Sequence, residues 1–249
     1  MRDGPSRRPV AQVASTFAVL LCAVTVLAAI GGCADGSSPS GPGGETGETY
    51  DIDANGIPRF VAVDCITLDD IYRISKFRSG VGHDYSDDFE SCRSMKHYFQ
   101  PSFDVDWSTV EVFSPVDGTV SRMWEEWAGT QVQVRSGERP AFFFNVFHIN
   151  LSDPLVVGDS LSAGQPLGNH IGAQTMSDIA VWVNTPSGPK LISYFDVMTD
   201  SLFQGYQARG LSSREDAVIS RDARDADPLS CYQEEFADTG NIANWVVLD

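Results

Sequence analysis

The chain has 249 residues, with 17 Lys and Arg against 34 Asp and Glu, for a formal net charge of −17 at pH 7. A surface this acidic argues against nucleic acid, anionic lipid or secreted anionic wall polymers as ligands of the folded body, since all of these are polyanions. The length suits one domain with an elaborated end.

Residues 1–32 read as an export signal. Arg2, Arg7 and Arg8 make a positive start, and Val13–Ile30 is apolar apart from Ser15, Thr16 and Thr25. Ile30-Gly31-Gly32-Cys33 then puts small residues directly before a cysteine. This resembles the lipobox of bacterial lipoproteins, which implies cleavage ahead of Cys33, acylation of that cysteine, and an extracytoplasmic protein of the bacterial cell envelope, lipid-anchored to a membrane. An ordinary signal peptide and an uncleaved anchor are the other two readings, since 18 apolar residues could just span a bilayer. Arg7-Arg8 resembles a twin-arginine start, but the residues after it fit poorly. Residues 33–49 follow as a tether: Asp35–Thr49 holds no large apolar residue, cannot offset its ordering entropy, and reaches roughly 20 Å. Without residues 1–32 the net charge becomes −19.

The domain proper is expected over residues 50–195, with an extension over 196–249. Phe60–Cys65 reads as a short apolar strand. Val110–Phe113, Gly118–Met123, Thr130–Arg135 and Ala141–Ile149 follow, each closed by Gly, Pro, Asp or Asn. Ile179–Val183 and Leu191–Phe195 continue the series, and nothing between 110 and 195 shows a helical period. The predicted class is all-β, a two-layer antiparallel domain. Asp200–Arg209 and Ser213–Ile219 read as short helices of the extension, and the acidic tail beyond them as solvated.

Outside the signal and lipobox three cysteines remain: Cys65, Cys92 and Cys231. One bridge and one free thiol are expected in an oxidising compartment, with three pairings open. Cys92–Cys231 is preferred because it would pin the tail to the region of the motifs below. No C-x-x-C is present, which disfavours a cysteine zinc site.

Several short motifs occur in order. Ser75-Lys76-Phe77-Arg78 precedes His83 and Asp87, a histidine and an aspartate four residues apart. Ser114-Pro115-Val116-Asp117-Gly118-Thr119-Val120 is a strand-turn-strand, Phe147-His148-Ile149-Asn150-Leu151 ends a strand, and Val157–Gly168 reads VGDSLSAGQPLG. Together, from Tyr72 to Val183, these resemble the lysostaphin-type (LytM-like) zinc endopeptidases, of duplicated hybrid motif fold, which cut peptide cross-links in bacterial cell walls. The resemblance implies zinc ligands at His83 and Asp87 and a catalytic histidine at His148. Tyr85 stands where the family has a glycine.

The resemblance also locates a gap. The family holds zinc through a first histidine, an aspartate and the second histidine of a His-x-His. Counted on from Gly168, that motif falls on Asp178-x-Ala180. A methyl group offers no lone pair, and three protein ligands are the minimum of a catalytic zinc site. His97, fourteen residues after His83, is the candidate substitute ligand. Trp124, Trp127 and Asp178 are candidate binding residues lining a groove. The expectation is therefore a degenerate, non-catalytic peptidase-like lipoprotein that binds wall peptide or an envelope protein. An active zinc endopeptidase with a rebuilt site and a purely structural envelope protein are the alternatives.

Overall fold

A computed structural model describes residues 47–249; the signal segment, Cys33 and most of the tether lie outside the described residues. Its strands are β1 (Ile71–Ser75), β2 (His97–Pro101), β3 (Glu111–Phe113), β4 (Gly118–Glu126), β5 (Gly129–Ser136), β6 (Phe142–Leu151), β7 (Ser160–Leu161), β8 (Pro166–His170), β9 (Ser177–Thr185), β10 (Gly188–Ile192), β11 (Cys231–Tyr232), β12 (Glu235–Phe236) and β13 (Trp245–Val247). Short α-helices are α1 (Ile52–Asn55), α2 (Tyr194–Val197), α3 (Asp200–Ala208) and α4 (Arg221–Ala226). None of these is long and apolar enough to cross a membrane.

Every pairing between these strands is antiparallel, and the large sheet runs β13-β1-β2-β9-β6-β5-β4-β7. The end of β6 leaves β9 and pairs with β8, which continues to β3. That branch supplies a second layer, because Val112 and Leu167 share the main core with Phe142 and Phe144.

Alternation along β6 and β9 builds two separate interiors. Phe142, Phe144, Val146, Ile179, Val181 and Val183 point into the main core. Phe143, Phe147, Ala180 and Trp182 point the other way, into a smaller cluster with Phe77, Tyr85 and Met95. Asp178 and Asn145 have the parity of that second face.

Three expectations differ from the structure. Phe60–Cys65 forms no strand; Phe60 and Val61 both donate their amides to the Val197 carbonyl. The strand expected at Leu191–Phe195 ends at Ile192, because the Ser193 side chain accepts from the Phe195 amide and starts α2. Ser213–Ile219 is reduced to a 3-10 turn at Arg214–Ala217, since Phe77 pairs with Val218 and draws the chain straight. Helix α3 sits where expected, capped by Thr199. In the rest of the extension β13 joins the large sheet by pairing with β1, β11 and β12 form a two-stranded sheet of their own, and the fully buried Arg224 donates to the carbonyls of Arg78 and Asp227.

Candidate functional site

The second face of β6 and β9 holds a row of four charged or polar side chains. β2 pairs with β9 so that Tyr98 lies opposite Asp178, and Lys96, just before β2, reaches the same carboxylate. Lys96 Nζ lies 2.6 Å from Asp178 Oδ2, and His148 Nε2 lies 3.0 Å from Asp178 Oδ1. On the other side, Lys96 Nζ lies 3.3 Å from His83 Nε2. The row therefore reads His83, Lys96, Asp178, His148. Its middle is sealed, with Lys96 2% and Asp178 1% exposed, while both histidines at its ends reach the surface.

His148 owes its place to a bulge. Even-numbered residues of β6 face the main core up to Val146, so regular alternation would bury His148 there. The register with β5 shifts between Thr130 and Val132, and His148 takes a left-handed φ of 62°. The bulge turns its ring toward Asp178 and returns Ile149 to the main core.

The partners fix the protonation of each ring. His148 faces two acceptors: the Ala128 carbonyl at 3.1 Å from Nδ1, and the Asp178 carboxylate at Nε2. The contact with Asp178 is at ion-pair distance, and together with the Ala128 carbonyl it favours the protonated ring. Burial works against this charge, but Asp178 outweighs it and the His148 pKa is raised. His83 is the opposite case. Its Nδ1 faces the Asp84 carbonyl at 2.9 Å and its Nε2 faces an ammonium, so it is neutral with the hydrogen on Nδ1. Burial and then Lys96 lower its pKa. Asp178 is held down to about 2, since Lys96 and His148 outweigh the cost of burying it. Burial also opposes the charge of Lys96, yet Asp178 raises its pKa.

Aromatic faces complete the cage around Lys96. Its Nζ lies 4.2 Å from the Phe147 ring centroid, 4.7 Å from Tyr85 and 5.0 Å from Tyr98. Tyr85 stands where the resemblance drawn from the sequence expects a glycine. Its hydroxyl accepts from Asn145 Nδ2 and Trp182 Nε1, which fixes the ring against the ammonium. Ala180 packs in the same apolar cluster as Tyr85 and Phe147.

These surroundings do not fit zinc. A neutral histidine with its Nδ1 hydrogen on a carbonyl is poised to ligate through Nε2, but here that lone pair faces Lys96. Asp87 does not join His83. Its Oδ1 accepts from the amides of Phe89 and Glu90, and its Oδ2 from Leu191, so it shapes a loop. His97, the substitute ligand considered from sequence, is a core residue. It lies between the Ser75 carbonyl and Ser193 Oγ, is 1% exposed, and burial lowers its pKa to about 4. Among the described residues no group of three His, Cys, Asp or Glu side chains could hold a metal ion.

Trp127 stands in the turn between β4 and β5, 83% exposed, next to the Ala128 carbonyl that holds His148. Trp124 is half-buried on β4. Cys92 and Cys231 form a disulfide, as preferred from the sequence, and Cys65 is free and buried. The bridge carries the hairpin of β11 and β12 to the His83 loop, where Asp84 donates its amide to the Glu234 carbonyl and His83 pairs with Glu235. Lys96 escaped the sequence reading. Its signal was a lone lysine in Met95-Lys96-His97-Tyr98-Phe99, a run with no other charged residue leading into a buried strand.

The sequence matches no protein-family model and no curated protein. In shape the chain is similar to a putative glycyl-glycine endopeptidase lytM from Ruminococcus gnavus ATCC 29149, at 16% identity and TM-score 0.33 over 41% of this chain and 43% of that one. The chain thus spans less than half the length of that structure. It is also similar to the SpoIIQ-SpoIIIAH pore forming complex, at 12% identity and TM-score 0.39 over 60% and 96%. A third likeness is to pseudoalterin, an M23 metalloprotease from the deep sea, at 15% identity and TM-score 0.32 over 59% and 76%. The fold is similar to LytM-type structures. At such identities a likeness concerns shape alone, and the chemistry of the site rests on its own residues.

Proposed function

We propose that this protein is a membrane-tethered domain of the bacterial cell envelope that has the frame of a LytM-like peptidase, does not hydrolyse peptides, and binds a wall peptide or a partner protein. The observation that supports this best is the position of Lys96, whose ammonium lies between His83 Nε2 and the Asp178 carboxylate. A fixed positive charge there repels a divalent cation and engages the donors such a cation would need. The Asp178 carboxylate and the Ala128 carbonyl favour the protonated form of His148, a form with no lone pair to accept a proton from water. What remains is a rigid, pre-organised surface with an exposed indole beside it, which suits recognition.

The test is direct. Purified full-chain protein, incubated with isolated cell wall and added zinc, should release no new peptide amines and should hold no stoichiometric zinc by elemental analysis. It should co-sediment with cell wall or retain an envelope protein. Release of amines that depends on zinc and is lost in His83→Ala would overturn the proposal in favour of an active endopeptidase.

A further inference from the structure

Two hairpin tips stand at the two ends of the buried row, and they carry the same kind of sequence. Trp124-Glu125-Glu126-Trp127 leads into the turn beside His148, and Tyr232-Gln233-Glu234-Glu235-Phe236 forms the hairpin beside His83. Each tip offers a large exposed ring, Trp127 at 83% and Tyr232 at 75%. Rings this bare, held on ordered hairpins, mark a contact surface more than a packing residue. Carboxylates flank both. Glu125 accepts from Thr130 Oγ1, while Glu126, Glu234 and Glu235 make no ion pair among the described residues.

Both tips are anchored to one rigid unit. The turn holding Trp127 is tied through the Ala128 carbonyl to His148. The hairpin holding Tyr232 is tied through the disulfide and the Asp84–Glu234 backbone bond to the His83 loop. The contacts from His83 through Lys96 and Asp178 to His148 join the two anchors. Each ring is thus held on an anchored tip, which lowers the entropic cost of binding at it.

We propose that the two tips form a docking surface for a lysine- or arginine-rich segment of a partner protein; this rests on the binding reading above and names the partner's chemistry. Charge complementarity favours it. Exposed aromatic faces attract ammonium and guanidinium groups, and the neighbouring carboxylates attract the same charges, whereas an anionic ligand meets repulsion from the carboxylates.

The test uses the full-chain protein in detergent and three probes: a labelled peptide of alternating lysine and glycine, its glutamate counterpart, and a purified muropeptide. The lysine peptide should bind, weaken as salt is raised, and bind about fivefold more weakly to Trp127→Ala and to Tyr232→Ala. Glu126→Gln combined with Glu234→Gln and Glu235→Gln keeps both rings and should weaken it further. Equal binding of the glutamate peptide, indifference to these variants, or failure of the lysine peptide to bind would each overturn the inference. Muropeptide binding without lysine-peptide binding would do so while leaving the preceding proposal in place. Zinc-dependent cleavage would instead overturn that proposal.

Discussion

At the scale of single residues, the protonation of His148 makes the sharpest prediction. An acceptor near each nitrogen favours the charged ring, so a nitrogen-15 titration should show both ring nitrogens protonated to a higher pH than in a free imidazole, and a ring that loses its proton below pH 6.5 would refute the assignment. Its pKa lies above its ordinary value of 6.5 in the folded chain. The stability it contributes is therefore complete below pH 6.5 and is lost as pH rises through the folded value. His97 has the reverse sign: buried neutral, with its pKa lowered from 6.5 to about 4, it costs stability as pH falls across that interval. Thermal unfolding followed from pH 4 to pH 9 should thus show losses on both flanks. Lys96→Met leaves Asp178 buried with one partner, which should cost about 3–5 kcal/mol and lower Tm by roughly 10 °C. Adding Asp178→Asn should recover part of that loss, because the two changes act on one interaction.

At the scale of elements, the central strands could be read from the sequence because their chemistry is local. Gly, Pro and Asp punctuation around Gly118–Met123, Thr130–Arg135 and Ala141–Ile149 placed β4, β5 and β6 within a few residues. Strands β1, β2 and β13 were not legible as strands, since they are defined by pairing partners far away in the chain. The site divided in the same way. Ala180 and Tyr85 stood apart from the zinc-peptidase pattern that the sequence resembles, but the chemistry around them depended on where Lys96 lands across the β2–β9 pairing, which no local pattern reports. Nor could spacing reveal the His148 bulge, because period-two alternation assigns that residue to the wrong face. The disulfide belongs to this scale as well. It joins positions 139 residues apart, so by chain entropy its reduction should cost about 3–5 kcal/mol. Reduced protein should melt earlier, and the backbone around Tyr232 should be cut by added protease before the central strands are.

At the scale of the whole molecule, acidity and architecture serve separate ends. The formal charge of −17 disfavours polyanionic ligands for the body, while Lys96 is kept cationic in the interior by a single carboxylate. The binding surface proposed here lies across the ends of that interior row, so damage to the row should reach the surface. Asp178→Asn should weaken lysine-peptide binding without altering the exposed residues, which titration against the unmodified protein would reveal. If binding is unchanged, the two hairpins are held independently of the row.

The pairing of β1 with β13 carries a further consequence. The first strand of the sheet acquires one of its neighbours from residues 245–247, far downstream of it in the chain. A chain emerging from a ribosome or a translocation pore with its N-terminus leading must leave that edge open until residues 245–247 are free. A product cut before residue 245 therefore exposes an unpaired strand edge, a natural handle for quality-control proteases.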